Sequence, residues 1–131
     1  YAGEKPSQEK FEDLARHMVY DKSLITGDWL RARYEASLDG EVMANPPLRL
    51  PPGFVPEPSQ SLCRDERLKA VVAPTLFIWG RDDEVQPVSC LESFNAIPQQ
   101  DALILGRCGH MPYWEHPGKV NDIATWFLRS A

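Results

Sequence analysis

The sequence predicts an α/β protein whose parallel strands are covered on both faces. Two observations carry that prediction. Two short apolar segments, "VVAPTLFIWG" (71–80) and "DALILG" (101–106), are rich in strand formers, and Asp101 is their one charged residue. Each is followed by a segment of helical character, at 89–97 and 118–130. Strands that lack polar alternation fit a sheet buried from both sides, and strand–helix–strand–helix order makes such a sheet parallel. Two strands cannot complete it, so its other strands are expected from residues beyond this sequence.

The elements follow in order. Over 7–20, Phe11, Leu14, Ala15, Met18 and Val19 recur at i, i+3, i+4, i+7 and i+8, which predicts a helix with one apolar stripe, capped by Ser7. A second helix is expected over 27–39, with Thr26 as its cap, Asp28 in its first turn and Gly40 ending it. Leu30, Tyr34 and Leu38 would share its apolar face, with Arg33 at the flank. In "NPPLRLPPGFVPEPSQS" (45–61), six of the chain's 12 prolines fall between 46 and 58. No helix or central strand survives that density, so this is the natural boundary. Beyond it come the 71–80 strand, a helix over 89–97 behind Pro87, the 101–106 strand, and a helix over 118–130. Val120, Ile123, Ala124 and Phe127 line one face of that last helix. The division expected is therefore 1–44 for the first helices, 45–66 for the proline-rich connector and 67–131 for the strand-bearing part.

Composition narrows the function classes. The 131 residues carry 14 basic and 19 acidic side chains, a net charge of -5, with the basic ones scattered. That argues against a nucleic-acid surface. No apolar run approaches the roughly 20 residues of a membrane span. Cys63, Cys90 and Cys108 lack CxxC spacing, and their odd number suits free thiols in a reducing cytoplasm better than a disulfide framework. The first residues, "YAGEKPSQEK", have no apolar core of a signal peptide.

The chemistry concentrates after the strands, where ligands bind in open parallel sheets. "GRDDEVQP" (80–87) offers Asp82 and Asp83, and "GRCGHMP" (106–112) offers His110. A carboxylate bonded to the Nδ1–H of a histidine fixes its tautomer and stabilises the imidazolium as the ring takes a proton. An acid and then a histidine, each following its own strand, make the acid–base half of a nucleophile triad in the chain order of α/β-hydrolases. Adjacency leaves Asp82 and Asp83 as rivals for the acid, the other serving the turn.

At these residues the chain resembles the C-terminal part of the α/β-hydrolases, with lid helices followed by the last parallel strands and flanking helices. Within that fold it is most similar to the meta-cleavage-product hydrolases, which split a carbon–carbon bond of ring-opened aromatic dienoates. The carrying motifs are "GRDDEVQP", "CGHMPYWEH" and the helical stretch "VYDKSLITGDWLRARYEAS" (19–37). The resemblance implies that Asp83 is the triad acid, His110 the base, and Arg33 a lid arginine holding the substrate's carboxylate. An arginine suits that task because its planar fork pairs bidentately with a carboxylate. Met111 stands where the family often has a pocket-lining Trp, which leaves the distal-group specificity open. The resemblance requires no metal or organic cofactor, and a small molecule is the expected substrate.

One part of the pattern is absent. No serine here has glycines two before and two after it, and no HGGG-like loop occurs. The nucleophile and oxyanion hole are expected from a missing N-terminal half or another chain, and these 131 residues alone are expected to be inactive. An esterase, epoxide hydrolase or dehalogenase of the same fold is the alternative chemistry. A non-catalytic module that binds a partner or ligand, or self-associates through exposed sheet edges, is the alternative to an enzyme. Other side chains read as structural: His116 and Trp114 at a helix start, Cys108 in its loop, and Arg33, should it only pair with Asp28 or Glu35. A zinc site from Cys108, His110 and His116 matches no standard spacing.

Overall fold

The structure, a computed structural model, describes residues 7–44 and 66–130. The proline-rich connector expected over 45–66 lies outside these residues except for Glu66. Among the described residues, 7–16 and 22–44 form one compact unit, and 17–21 and 66–130 form another.

In the first unit, α1 (Gln8–Met18) begins as expected. The Lys10 amide donates to Ser7 Oγ at 3.2 Å and the Phe11 amide to the Ser7 carbonyl at 3.1 Å. The helix stops at Met18, two residues before the expected end. The Arg16 carbonyl, which a continuing helix would pair with the Tyr20 amide, accepts from Lys22 Nζ instead. Ala15 is buried, whereas Leu14 stands more than half exposed, so the apolar stripe is only partly covered.

The second helix, α2 (Gly27–Ser37), is capped by Thr26, whose Oγ1 accepts from the Trp29 amide at 3.2 Å. Leu30 is buried, Tyr34 is half-buried and Leu38 is exposed. Gly40 does not terminate this helix. It ends at Ser37 with Leu38 in a right-handed conformation, and Gly40 opens α3 (Gly40–Ala44). The deciding residue is Asp39. Its Oδ1 accepts from the Glu41 amide at 2.9 Å and the Val42 amide at 3.3 Å, an N-cap arrangement that starts a helix.

The second unit contains the sheet. β1 (Thr75–Gly80) and β2 (Gln100–Leu105) pair in parallel, from Thr75 opposite Gln100 to Gly80 opposite Leu105. The segment between them was expected as an α-helix but is a 3₁₀ helix over Val88–Ala96. Prolines bound it at both ends. Pro87 has no side chain to cap the start, and Pro98 holds Ile97 in extended geometry, which excludes a further helical turn. A single turn, α4 (Pro112–Glu115), precedes α5 (Pro117–Ser130), and both lie against β1. Val120, Ile123, Ala124 and Phe127 are the half-buried stripe of α5, while Trp126 and Leu128 are exposed.

The strands are not buried on both faces within this unit. Gly80 and Leu105 are buried at the strand ends, yet Ile104 is 43% exposed. With α4 and α5 against β1 and the 3₁₀ helix against β2, some apolar strand side chains still stand open to water.

Candidate active site

Both strands end at one level, because Gly80 is opposite Leu105. The loops leaving them touch through their backbones. A Cβ on Gly80 would lie 1.9 Å from the Gly109 carbonyl oxygen and 2.4 Å from that of Cys108, so only glycine fits. A Cβ on Gly109 would lie 2.9 Å from the Tyr20 nitrogen and 3.0 Å from the Met18 oxygen. The Asp82 amide donates to the Cys108 carbonyl at 2.9 Å, and the Cys108 amide to Asp82 Oδ2 at 3.3 Å. The acid loop and the histidine loop are thus joined main chain to main chain.

On this frame, His110 Nδ1 lies 2.8 Å from Asp83 Oδ2. The other carboxylate oxygen, Oδ1, accepts from the amides of Val85 and Gln86, each at 2.8 Å. These two bonds lock the carboxylate in an Asx-type turn with Oδ2 facing the ring. The Asp83 side chain is 4% exposed and that of His110 is 32% exposed. An acceptor-only carboxylate at Nδ1 puts the neutral ring's proton there, which leaves Nε2 as a proton acceptor. His110 and Asp83 border a cleft of about 130 Å³, whose other walls include Ile78, Trp79, Gln86 and Pro112. The Trp79 indole is fixed by donating to the Gln86 carbonyl at 3.1 Å and by packing against Phe94.

Two adjacent acids take different partners. Asp83 meets the imidazole, and Asp82 ties the loops together. Met111 follows His110 and is the N-cap residue of α4. Arg33 belongs to the other unit, where its guanidinium stands 5.7 Å from the centroid of the Trp29 ring, a cation–π distance. Asp28, one of its expected partners, pairs with Arg31.

Cys108 is fully buried, and its thiol is pushed up to about 12 by burial and by the neighbouring Glu115 carboxylate. It is a packing thiol, since nucleophilic attack needs the thiolate. His116 donates from Nε2 to the Arg107 carbonyl at 2.9 Å, and Arg107 adopts a left-handed φ of 56° that turns the chain out of β2. No cluster suited to a metal ion occurs among the described residues. No helix among them is long and apolar enough to cross a membrane.

Glu115 escaped the sequence reading. Its Oε1 accepts from the Gly109 amide at 2.6 Å, and its Oε2 from the amides of Tyr20 at 2.7 Å and Asp21 at 3.3 Å. The available signal was the "WEH" run, which drew attention to its Trp and His.

No model of a known protein family matches the chain. Over 126 residues it is 34% identical to a 2-hydroxy-6-oxononadienedioate/2-hydroxy-6-oxononatrienedioate hydrolase of Cupriavidus pinatubonensis, covering 95% of this chain and 42% of that protein. The protein of the same description from Burkholderia vietnamiensis is 31% identical, with the same coverage. Among solved structures, a mutant of CumD, a meta-cleavage product hydrolase, superposes with a TM-score of 0.76 at 31% identity, over 98% of this chain and 48% of that one. Another CumD mutant, from Pseudomonas fluorescens and complexed with acetates, gives a TM-score of 0.77 at 29% identity, covering 98% and 47%. The chain spans less than half the length of the relatives it matches. The strands and helices described above are the C-terminal portion of an α/β-hydrolase fold, and the chain's homologues are meta-cleavage product hydrolases.

Proposed function

We propose that the complete protein hydrolyses a carbon–carbon bond of a ring-opened aromatic dienoate, with His110 as general base and Asp83 as its orienting acid. The carrying observation is the 2.8 Å contact between His110 Nδ1 and Asp83 Oδ2 beside a cleft at the strand ends. The names of the homologues supply the substrate class.

In this reading His110 Nε2 takes the proton of a nucleophile hydroxyl as that oxygen attacks the substrate carbonyl. With the dienoate first ketonised, Asp83 stabilises the imidazolium that forms, and the same proton is returned to the departing carbon fragment, which leaves as an enol acid. A water then attacks the acyl group left on the nucleophile, its proton passing through His110 back to the nucleophile oxygen as the carboxylic acid is released. The nucleophile, a serine in this scheme, and the oxyanion hole come from outside these 131 residues. Residues 1–44 serve as the lid, residues 67–131 as the end of the catalytic core, and Arg33 engages the substrate's carboxylate. Met111, beside the base, contributes to the pocket wall. A reducing cytoplasm suits this protein, in which Cys90 and Cys108 are free thiols.

The test is turnover of a ring-opened dienoate by the complete protein, followed by loss of the chromophore. His110→Ala should abolish it, and the 131-residue chain alone should show none. Turnover by the isolated chain that depends on His110 would overturn the assignment of the nucleophile to another segment. A complete protein that cleaves p-nitrophenyl esters or haloalkanes and leaves dienoates intact would move the function to another hydrolase chemistry of the same fold.

A further inference from the structure

A single bond to Asp83 fixes one nitrogen of the His110 ring but lets the ring swing about it. The direction of Nε2 also depends on where the main chain of residues 108–110 is held. That stretch has no regular structure, so its anchoring must come from other groups. Asp82 holds Cys108, and the two consecutive amides that follow hold the rest. The Gly109 amide donates to Glu115 Oε1 at 2.6 Å, and the His110 amide donates to the Met18 carbonyl at 2.8 Å. Both anchors lead to residues 17–21, because Glu115 Oε2 accepts from the Tyr20 and Asp21 amides. Tyr20 and Glu115 are 95 positions apart in sequence. The Glu115 end is itself fixed, since the amides of Trp114 and Glu115 both donate to the Met111 carbonyl at 3.0 Å.

We propose that Glu115 is a positioning residue for His110, its carboxylate coupling residues 17–21 to the histidine loop and so setting the direction in which Nε2 points. The inference rests on reading His110 as the base. The chemistry of the carboxylate explains why this residue is glutamate. Both of its oxygens receive backbone N–H donors, from opposite sides. An amide of the same size has one acceptor oxygen and an NH₂ that can only donate. Glutamine at 115 would therefore turn a donor toward either Gly109 or Tyr20 and break one half of the coupling. Aspartate keeps both acceptors but retracts them by one methylene.

The experiment is ¹H–¹⁵N NMR of the complete hydrolase labelled at its histidine ring nitrogens, comparing wild type with Glu115→Gln and Glu115→Asp. Wild type should show a hydrogen-bonded Nδ1–H on His110 and one dominant tautomer. Glu115→Gln should lose that signal to exchange and mix the tautomers, while His116, bonded to Arg107, keeps its own. Glu115→Asp should fall between the two. Should Glu115→Gln fail to fold, Glu115→Asp alone decides. Unchanged His110 ring signals in a folded Glu115→Gln, or failing that in Glu115→Asp, would overturn the proposal. In the complete hydrolase, Glu115→Gln should lower kcat by about tenfold to a hundredfold, the scale of a small misplacement, with KM within about twofold. A wild-type kcat would overturn the proposal as well. The two levels separate cleanly: a His110→Ala protein that still turns over dienoate would remove the proposed function, while the ring signals would still report what Glu115 does to the imidazole.

Discussion

Within residues 22–44, several side chains bond near neighbours in sequence: Thr26 to Trp29, Asp28 to Arg31, and Asp39 to Glu41 and Val42. In the other unit three contacts reach across the chain, 26 positions from Asp82 to Cys108, 27 from Asp83 to His110, and 95 from Glu115 to Tyr20. The first kind stabilises a helix wherever that helix lies. The second kind exists only if several separate segments arrive together, so one failure propagates to the rest. This difference teaches where the molecule should be fragile: substitutions in the second unit should act at a distance, and those in the first should stay local.

The strongest way to break the contrast is at the acid. Asp83→Asn keeps the shape but presents an NH₂ or a weaker acceptor to the ring, which favours the wrong tautomer. In the complete hydrolase kcat should fall by about 10³- to 10⁴-fold with the fold intact; a loss smaller than tenfold would remove Asp83 from the acid's role. Gly109→Ala comes next. Its Cβ would meet backbone atoms of Tyr20 and Met18 at 2.9 and 3.0 Å, and backbone yields less readily than a side chain. Urea denaturation should show a loss of about 3 kcal/mol, at the upper end for overpacking. A change under about 0.5 kcal/mol would mean that residues 17–21 are not anchored to the loop.

Effects in the first unit should be smaller. Arg33→Ala should raise KM for an acidic dienoate by about tenfold, the scale of one charge-assisted bond, and leave a neutral ester unaffected. Equal changes for both would confine Arg33 to its contact with Trp29. Thr26→Ala should cost about 1 kcal/mol of stability, the usual value of an N-cap, with kcat unchanged.

Cys108 has the smallest effect at neutral pH. Its folded pKa is raised above the ordinary 9.0, so between pH 9 and about 12 the unfolded chain releases a proton that the folded chain keeps. The unfolded state then binds fewer protons, and stability falls as pH rises through that window. Below pH 9 this contribution is fully present. Cys108→Ala should flatten this alkaline decline in urea midpoints. Iodoacetamide at pH 8 should label Cys90 well ahead of Cys108; equal rates would contradict its burial.

Much of the second unit was legible because its signals are short-range. The apolar segments around Phe77 and Leu103, the turn residues of "GRDD" and the stop after each strand are local patterns, and they locate the strand ends where Asp83 and His110 meet. Separating Asp82 from Asp83 was not possible from the residues alone. Both are acids in one turn, and only the approach of Cys108 and His110 assigns them different tasks. Glu115 was illegible for a similar reason, since three of its hydrogen-bond donors are backbone amides, which any sequence supplies. The end of α1 at Met18 was hidden as well. Val19 continues the apolar periodicity, and it is indeed buried, but outside the helix. Gly40 misled because a glycine stop and an aspartate start compete at one place, and Asp39 prevailed through two hydrogen bonds.

The common level of Gly80 and Leu105 sets a rule of length. Each strand spends six residues between the paired ends at Thr75 and Gln100 and the paired ends at Gly80 and Leu105. One residue inserted into either strand would carry its loop forward by about 3.3 Å, more than the whole acid–imidazole contact, and would invert every side chain beyond it. Descendants of this sequence can therefore change the length of one strand only by changing the other in step.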